Sequence, residues 1–220
     1  AGVAHELNNP LTTVAGFVEL VLEDLPPEHA AREDLDLVLR EARRAREVVR
    51  RLLDFSRPGD GFRVRSDVNE LVEDVGALIQ HLARTSGVEL RLDLWQDLPW
   101  VKIDRDQIKQ VILNLLHNAL LAMPTGGQLE VRTAPGQRQQ EAGVLIQVTD
   151  TGMGISAEDM ERLFEPFFTT RPPGKGTGLG LSVSYGIVSE HGGILEVESQ
   201  PGQGSCFTVW LPVQSKRALL

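Results

Sequence analysis

Two stretches of this sequence hold residues whose types and spacing could do chemistry. The first is His5-Glu6-Leu7-Asn8-Asn9, followed by Pro10. An exposed histidine can accept a phosphoryl group as neutral imidazole, and an ordinary pKa near 6.5 supplies that form at cellular pH. Glu6 can hydrogen-bond one ring nitrogen and make the other a better nucleophile. Asn9 lies one helical turn on, on the same face as His5, where a neutral amide can orient a water. Pro10 removes the backbone bond to the Glu6 carbonyl, at about 3 kcal/mol in an ordinary helix, and so loosens the chain beside the acceptor. Taken alone, His5 reads better as a surface histidine near a frayed helix end; the proline and the second stretch reverse that.

The second stretch supplies a phosphate donor. Asn114 and Asn118 are four residues apart, so a helix projects both amides from one face, and neutral oxygen ligands suit Mg²⁺. Asparagines capping a neighbouring loop are the plain structural alternative. Asp150 ends an apolar run, and Gly152 and Gly154 after it let backbone approach a flat ring closely. A carboxylate there can accept from an exocyclic amine, which selects adenine over guanine; an Asp-Gly turn is the alternative. Gly174-Lys175-Gly176-Thr177-Gly178-Leu179-Gly180 then runs into a helical pattern, and free amides at a helix start suit phosphates. No GKS or GKT closes this run and no βαβ pattern surrounds it, which excludes a Walker loop and a dinucleotide fingerprint. Between the glycine segments, Phe164-Glu165-Pro166-Phe167-Phe168-Thr169-Thr170 places three phenylalanines in a loop-like stretch, either as core or as anchors of a lid spanning about 155–177.

Two kinds of element must position these groups. Leu7, Leu11, Val14, Val18, Val21 and Leu25 form a seam of period 3.5, ended by Pro26-Pro27. A second seam follows at Leu35, Val38, Ala42, Ala45, Val49 and Leu52, with Asp36 and Arg40, and Glu47 and Arg51, at i,i+4. His5, one position past the seam residue Ala4, is expected to flank the core and reach solvent. The arginines from Arg40 to Arg51 read as the solvated face of the second helix. One such hairpin buries little, so a homodimer forming a four-helix bundle is expected. Arg57-Pro58-Gly59-Asp60-Gly61 reads as a linker. Beyond it, strands are expected at 88–94, 129–133, 144–149, 194–199 and 206–211, and helices at 69–82, 105–122 and 179–191. The division is therefore 1–57 for dimerisation and phosphoacceptance, 58–62 for the linker and 63–215 for nucleotide binding.

The net charge of −9 excludes a dedicated nucleic-acid binder. Cys206 stands alone, so no intrachain disulfide is possible, in keeping with a reducing, cytoplasmic setting. No apolar stretch approaches membrane-helix length. The chain starts without Met inside a helical pattern, so a fragment lacking an upstream sensor domain is expected, with any membrane anchor outside it.

The set of motifs resembles the transmitter region of a two-component sensor histidine kinase. Residues 5–11 resemble the H box, 114–118 the N box, 150–154 the G1 box, 164–168 the F box and 174–180 the G2 box, while Gly192-Gly193 and the strand from Gly204 resemble the closing segment. HELNNPL, FEPFFTT and GKGTGLGLS are most similar to the nitrogen-regulation-type subgroup. The resemblance implies an α+β protein: an antiparallel hairpin forming a dimeric four-helix bundle, then a GHKL (Bergerat) α/β sandwich with helices on one sheet face. It implies ATP-dependent phosphorylation of His5, transfer to an aspartate of a response-regulator receiver domain, and dephosphorylation of that regulator by a water that Asn9 orients. It further implies Glu6 as base, Asn118 with Asn114 on Mg²⁺, Asp150 on the adenine amine, and the residues from Lys175 to Gly180 on the phosphates. Many family members carry a lysine three residues after the second N-box asparagine; here Leu121 stands there, leaving Lys175, His117 or Arg171 as the phosphate-facing cation. The alternatives are a nucleotide-binding dimer scaffold without kinase activity, or another ATPase of the same fold.

Overall fold

The computed structural model describes residues 2–56, 62–138, 140–171 and 176–213, with backbone only for 2–9, 44 and 46–56. The chain divides into two compact units, Ala1–Gly59 and Asp60–Leu220. The expected linker, apart from Phe62, lies outside the described residues.

The first unit is a helical hairpin of α1 (Gly2–Asp24) and α2 (Ala31–Ser56), and α1 runs through Pro10. Its turn is closed by a side chain that satisfies helix-end carbonyls: Arg32 Nη1 donates to the carbonyls of Leu22 (2.8 Å) and Leu25 (2.6 Å). Ala15, Leu22, Leu39 and Ala42 are buried between the helices, with Val18 and Leu35 packed against them. An exposed ion pair, Arg43 to Glu19 at 2.6 Å, joins the helices. Of the expected seam residues, Val18, Leu35 and Ala42 lie in this packing, whereas Val14, Val21 and Val38 are exposed in the single chain. Two helices share one narrow stripe, and Ala15, Leu22 and Leu39 fill it. Val14, Val21 and Val38 each sit one position, about 100° of helix, to the side. A second apolar stripe of Val14, Phe17, Leu20, Val21, Leu37 and Val38 is left on the surface.

The second unit is an α/β sandwich. It contains β1 (Val64–Ser66), α3 (Val68–Thr85), β2 (Val88–Asp93), β3 (Val101–Ile103) and α4 (Arg105–Ala122). There follow β4 (Gly127–Arg138), β5 (Glu141–Asp150), α5 (Ala157–Arg162), α6 (Gly180–Glu190), β6 (Ile194–Gln200) and β7 (Gly204–Pro212). Five strands form a mixed sheet in the order β2-β4-β5-β7-β6, in which only the β2–β4 pair is parallel. β1 and β3 form a small antiparallel sheet. Strand residues alternate: Leu129, Val131, Ile146, Val148, Phe207 and Val209 are buried, whereas Glu130, Arg132 and Glu196 on the opposite face are exposed. Against the buried face, α3 contributes Leu71, Val72, Val75 and Ile79, and α4 contributes Ile108, Val111, Ile112, Leu115 and Leu116.

β4 extends beyond the expected 129–133 through Ala134-Pro135-Gly136, which reads as a turn in sequence. Its pairing with β2 ends at Arg132, so Pro135 lies where that edge carries no ladder partner and its missing N–H costs little. No helix among the described residues is long and apolar enough to cross a membrane.

Candidate nucleotide site

The site is organised along α4. Asp104 caps this helix by accepting from the backbone N–H groups of Asp106 (3.0 Å) and Gln107 (3.2 Å). The cap is fastened to the far end of α6: the Asp104 N–H donates to His191 Nε2 (3.0 Å), which fixes the tautomer, and His191 Nδ1 donates to the Ile187 carbonyl (2.8 Å). Burial pushes the His191 pKa below its ordinary value, against the pull of that carbonyl, so the ring stays neutral.

Asn114, Asn118 and Ala122 follow one another at single-turn spacing, and each meets a different part of the site. Asn114 Nδ2 donates to the Gly180 carbonyl (3.3 Å) and to Ser184 Oγ (3.4 Å), holding the start of α6. The N-cap position of α6 is Leu179, which offers no side-chain cap, so its first-turn amides are left to other acceptors. Asn118 Oδ1 accepts from Arg171 Nη2 (3.4 Å). The Ala122 carbonyl accepts from the Met153 N–H (3.0 Å) and lies 2.6 Å from where a Gly152 Cβ would stand, so a side chain at 152 would push the turn off the helix. From Asn114 to Ala122 is about 12 Å of helix, on the order of an extended nucleotide.

Asp150 is 3% exposed at the end of β5, and its Oδ1 accepts from the Gly152 N–H (2.8 Å). Burial raises its pKa above the usual carboxylate range, partly offset by the backbone bonds from Gly152 and Ser205. Gly154 follows in a turn that Gly202 N–H closes on the Met153 carbonyl (2.8 Å). At the other end, Thr177 Oγ1 accepts from the Leu179 N–H (3.5 Å). Gly178 has φ +66°, and its carbonyl accepts from the Phe167 N–H (2.9 Å). A Cβ at 178 would fall 2.3 Å from the Phe167 carbonyl carbon, so glycine is required for the two loops to touch.

Thus Asn114 meets Gly180, Asn118 meets Arg171, and the turn that Asp150 holds meets the end of the same helix through Gly152 and Met153. Lys175 lies outside the described residues, and so do the side chains of His5, Glu6 and Asn9, whose backbones are in α1. Sequence reasoning missed Ser205 and the Ala122 carbonyl, and placed Gly204 only at the start of the closing strand. Gly204 packs so closely that a Cβ would reach 1.9 Å from the Asp150 carbonyl oxygen; a glycine-serine pair opening a strand was the available signal. A backbone carbonyl has no sequence signal.

Comparison with known proteins decides the family. Residues 103–215 match the family of histidine kinase-, DNA gyrase B- and HSP90-like ATPases, and residues 1–61 match the His Kinase A (phospho-acceptor) domain. The chain belongs to the sensor histidine kinases. Its two matched domains are those of an ATP-dependent protein-histidine kinase transmitter, and the phosphoacceptor match separates it from gyrases and chaperones of the same ATPase fold. It is 38% identical over 217 residues to sensor histidine kinase ZraS of Escherichia coli K12, covering 99% of this chain and 45% of that one. It is 35% identical over 214 residues to sporulation kinase E of Bacillus subtilis, covering 97% and 28%. The chain thus spans less than half the length of these curated relatives. Among solved structures, histidine kinase ThkA in complex with response regulator protein TrrA matches with a TM-score of 0.68 at 28% identity, over 99% of this chain and 61% of that chain. Full-length ShkA in complex with AMPPNP matches with a TM-score of 0.75 at 25% identity, over 100% and 46%.

Proposed function

We propose that this chain uses ATP to phosphorylate His5 and then passes the phosphoryl group to an aspartate of a response-regulator receiver domain. What carries this reading is the order of parts on one chain: an acceptor helix bearing His5, then an ATPase unit in which Asn114 holds the start of α6 and the buried Asp150 holds the turn after β5. The proposed division is 1–57, 58–62 and 63–215. HELNNPL, FEPFFTT and GKGTGLGLS support the nitrogen-regulation-type subgroup, and the lone Cys206 supports a cytoplasmic setting for this stretch.

In this reading Asp150 accepts from the adenine amine, while Gly152, Gly154 and the turn around them leave room for the ring. The residues from Lys175 to Gly180 and the uncapped start of α6 receive the phosphates. Asn118, with Asn114, would hold Mg²⁺. The fit is chemical: Asn114 spends its nitrogen on Gly180 and Ser184, leaving its oxygen as donor atom, and neutral amide oxygens suit an ion that takes its other ligands from phosphate and water. Mg²⁺ bound there would neutralise phosphate charge. A neutral ring nitrogen of His5 attacks the γ-phosphorus, the bond to the β-phosphate oxygen breaks, ADP leaves, and Glu6 takes the imidazole proton. Asn9 orients the water that hydrolyses the regulator's aspartyl phosphate. The ThkA complex with its response regulator supports a receiver-domain partner, and the exposed stripe of Val14, Phe17, Leu20, Val21, Leu37 and Val38 supports a homodimer.

Incubation with Mg²⁺ and γ-labelled ATP tests the reading. The expected product is acid-labile, base-stable phosphate, absent from His5→Gln, Asn118→Ala and Asp150→Ala. Full labelling of Asn118→Ala or Asp150→Ala would remove that residue's assignment, and full labelling of His5→Gln would remove the acceptor.

A further inference from the structure

Two tryptophans stand exposed between β2 and β3, Trp95 at 50% and Trp100 at 52%. Trp100 already has a cation, since the Arg65 guanidinium carbon lies 5.9 Å from its ring centroid. Among the described residues no cation stands over the Trp95 ring. The Trp95 backbone is nonetheless held on both sides. Its N–H donates to Thr133 Oγ1 (3.0 Å), its carbonyl accepts from Asn69 Nδ2 (2.8 Å), and Thr133 Oγ1 donates to Asn69 Oδ1 (2.8 Å). This closed ring joins β4, α3 and the loop, and Thr133 is buried within it. A large apolar side chain left in water on a fixed backbone is suited to contact, because little ordering remains to be done when a partner arrives.

Trp95 lines a cleft of about 390 Å³ together with Asp93, Gln96, Asp97 and Arg132. Arg132 is taken up by Asp93 at 3.3 Å. Asp97 has no ionic or hydrogen-bonded partner among the described residues, so its carboxylate is the charge left over in the cleft. The cleft is separate from the nucleotide site. β4 begins beside Thr151, where the Gln128 N–H donates to Thr151 Oγ1, and reaches Thr133 only after about 16 Å of strand.

We propose that this cleft docks an arginine side chain of a partner protein, with the guanidinium over the Trp95 ring and paired to Asp97. A ring face attracts a cation, and a planar guanidinium stacks on it where a compact ammonium does not. The neighbouring Trp100 takes an arginine from its own chain, which indicates the chemistry of the guest that Trp95 lacks. A net charge of −9 favours the approach of a basic segment. Asp93, Trp95, Gln96, Asp97 and Arg132 are all exposed, so the cleft is open and covers too little of a free amino acid to hold it tightly. An arginine carried on a polypeptide is held by its neighbours' contacts as well.

The test is a titration of the isotope-labelled whole chain, followed through indole and backbone N–H resonances. The probes are a short capped glycine-serine peptide with a central arginine, the same peptide with citrulline as the neutral isostere, and free arginine. The arginine peptide should shift the Trp95 indole and the Asp97 amide saturably, with a dissociation constant on the order of millimolar. The indoles of Trp100 and Trp210 should stay in place, and the citrulline peptide should shift nothing. Asp97→Asn should weaken binding by about 2- to 5-fold, and Trp95→Leu, read at the Asp97 amide, by at least as much. Both side chains are exposed, so parent-like resonances elsewhere report an intact fold. An unmoved Trp95 indole, equal shifts with citrulline, or parent-like affinity in both variants overturns the proposal. Saturation by free arginine at micromolar concentration also overturns it, in favour of a small-molecule site.

Discussion

In the hairpin, burial within one chain is carried by Ala15, Leu22, Leu39 and Ala42, two of them alanines. In the ATPase unit, α4 alone buries Ile108, Val111, Ile112, Leu115 and Leu116 completely, against a sheet whose inner face is equally apolar. The second unit is therefore self-sufficient, while the first leaves Phe17 65% and Leu20 58% exposed and needs another surface to finish its core. The chemistry divides along the same line. The donor site is fixed by backbone contacts and caps within one core, whereas the acceptor stands on an element whose own packing is incomplete. Rigid positioning suits nucleotide recognition; under the proposed function the acceptor meets both ATP and a receiver domain, and it is carried by the part with the thinner core.

Substitutions on either side should break this contrast in different ways. The largest effect is expected at the acceptor. Glu6→Gln should lose about 10²–10⁴-fold of autophosphorylation if Glu6 is the general base, with ATP binding unchanged. Asn9→Ala should keep much of the kinase activity and lose phosphatase activity toward a phosphorylated regulator. Both mutants are assayed in both directions, and equal losses everywhere would show a shared structural role.

Packing comes next. Leu115→Ala should destabilise the ATPase unit by about 2–5 kcal/mol in urea melts, because it leaves a cavity in a closed core. Phe17→Glu should leave nucleotide affinity unchanged and convert dimer to monomer in sedimentation. A Phe17→Glu dimer would mean that the exposed stripe faces something other than a second hairpin.

A pH dependence should belong to the ATPase unit. The folded pKa of His191 lies below its unfolded value near 6.5, so above that pH both states are neutral and the staple to Asp104 is intact. As pH falls below about 6.5 the unfolded state takes up the proton first, and stability is lost. Melts of the unit should show this acid slope, and His191→Gln should flatten it. The smallest signal is expected in the 155–177 segment. Hydrogen exchange there should be fast without nucleotide and slow with it, and unchanged exchange would remove the lid.

Much of this was legible in the sequence, and the residues explain which parts were not. α4 was expected at 105–122 and is found there, because a capping aspartate, an apolar stripe and a stop at Met123-Pro124 all agree. The strands β1 and β3, three residues each, are too short to show a period. Of the hairpin seam, Val18, Leu35 and Ala42 pack within the chain while Val14, Val21 and Val38 do not, because α1 carries two adjacent apolar stripes and periodicity alone does not say which one its own partner helix fills. Lys175, His117 and Arg171 were equal in sequence as phosphate-facing cations. What separates Arg171 is its burial beside Asn118, a property of tertiary packing.

The contact between Phe167 and Gly178 has a consequence for how this region can vary in length. Phe167 is one of two described non-glycine residues with positive φ, and its N–H is tied to the Gly178 carbonyl. The two residues act as a clasp between two points with ten residues of sequence between them, 168–177. Closure entropy grows only with the logarithm of loop length, so doubling such a loop costs about 0.6 kcal/mol. An insertion between Pro172 and Pro173, to which no role is assigned, should therefore cost little in closure entropy, whereas a single methyl at 178 should open the clasp. This makes the loop a natural place to splice a reporter tag.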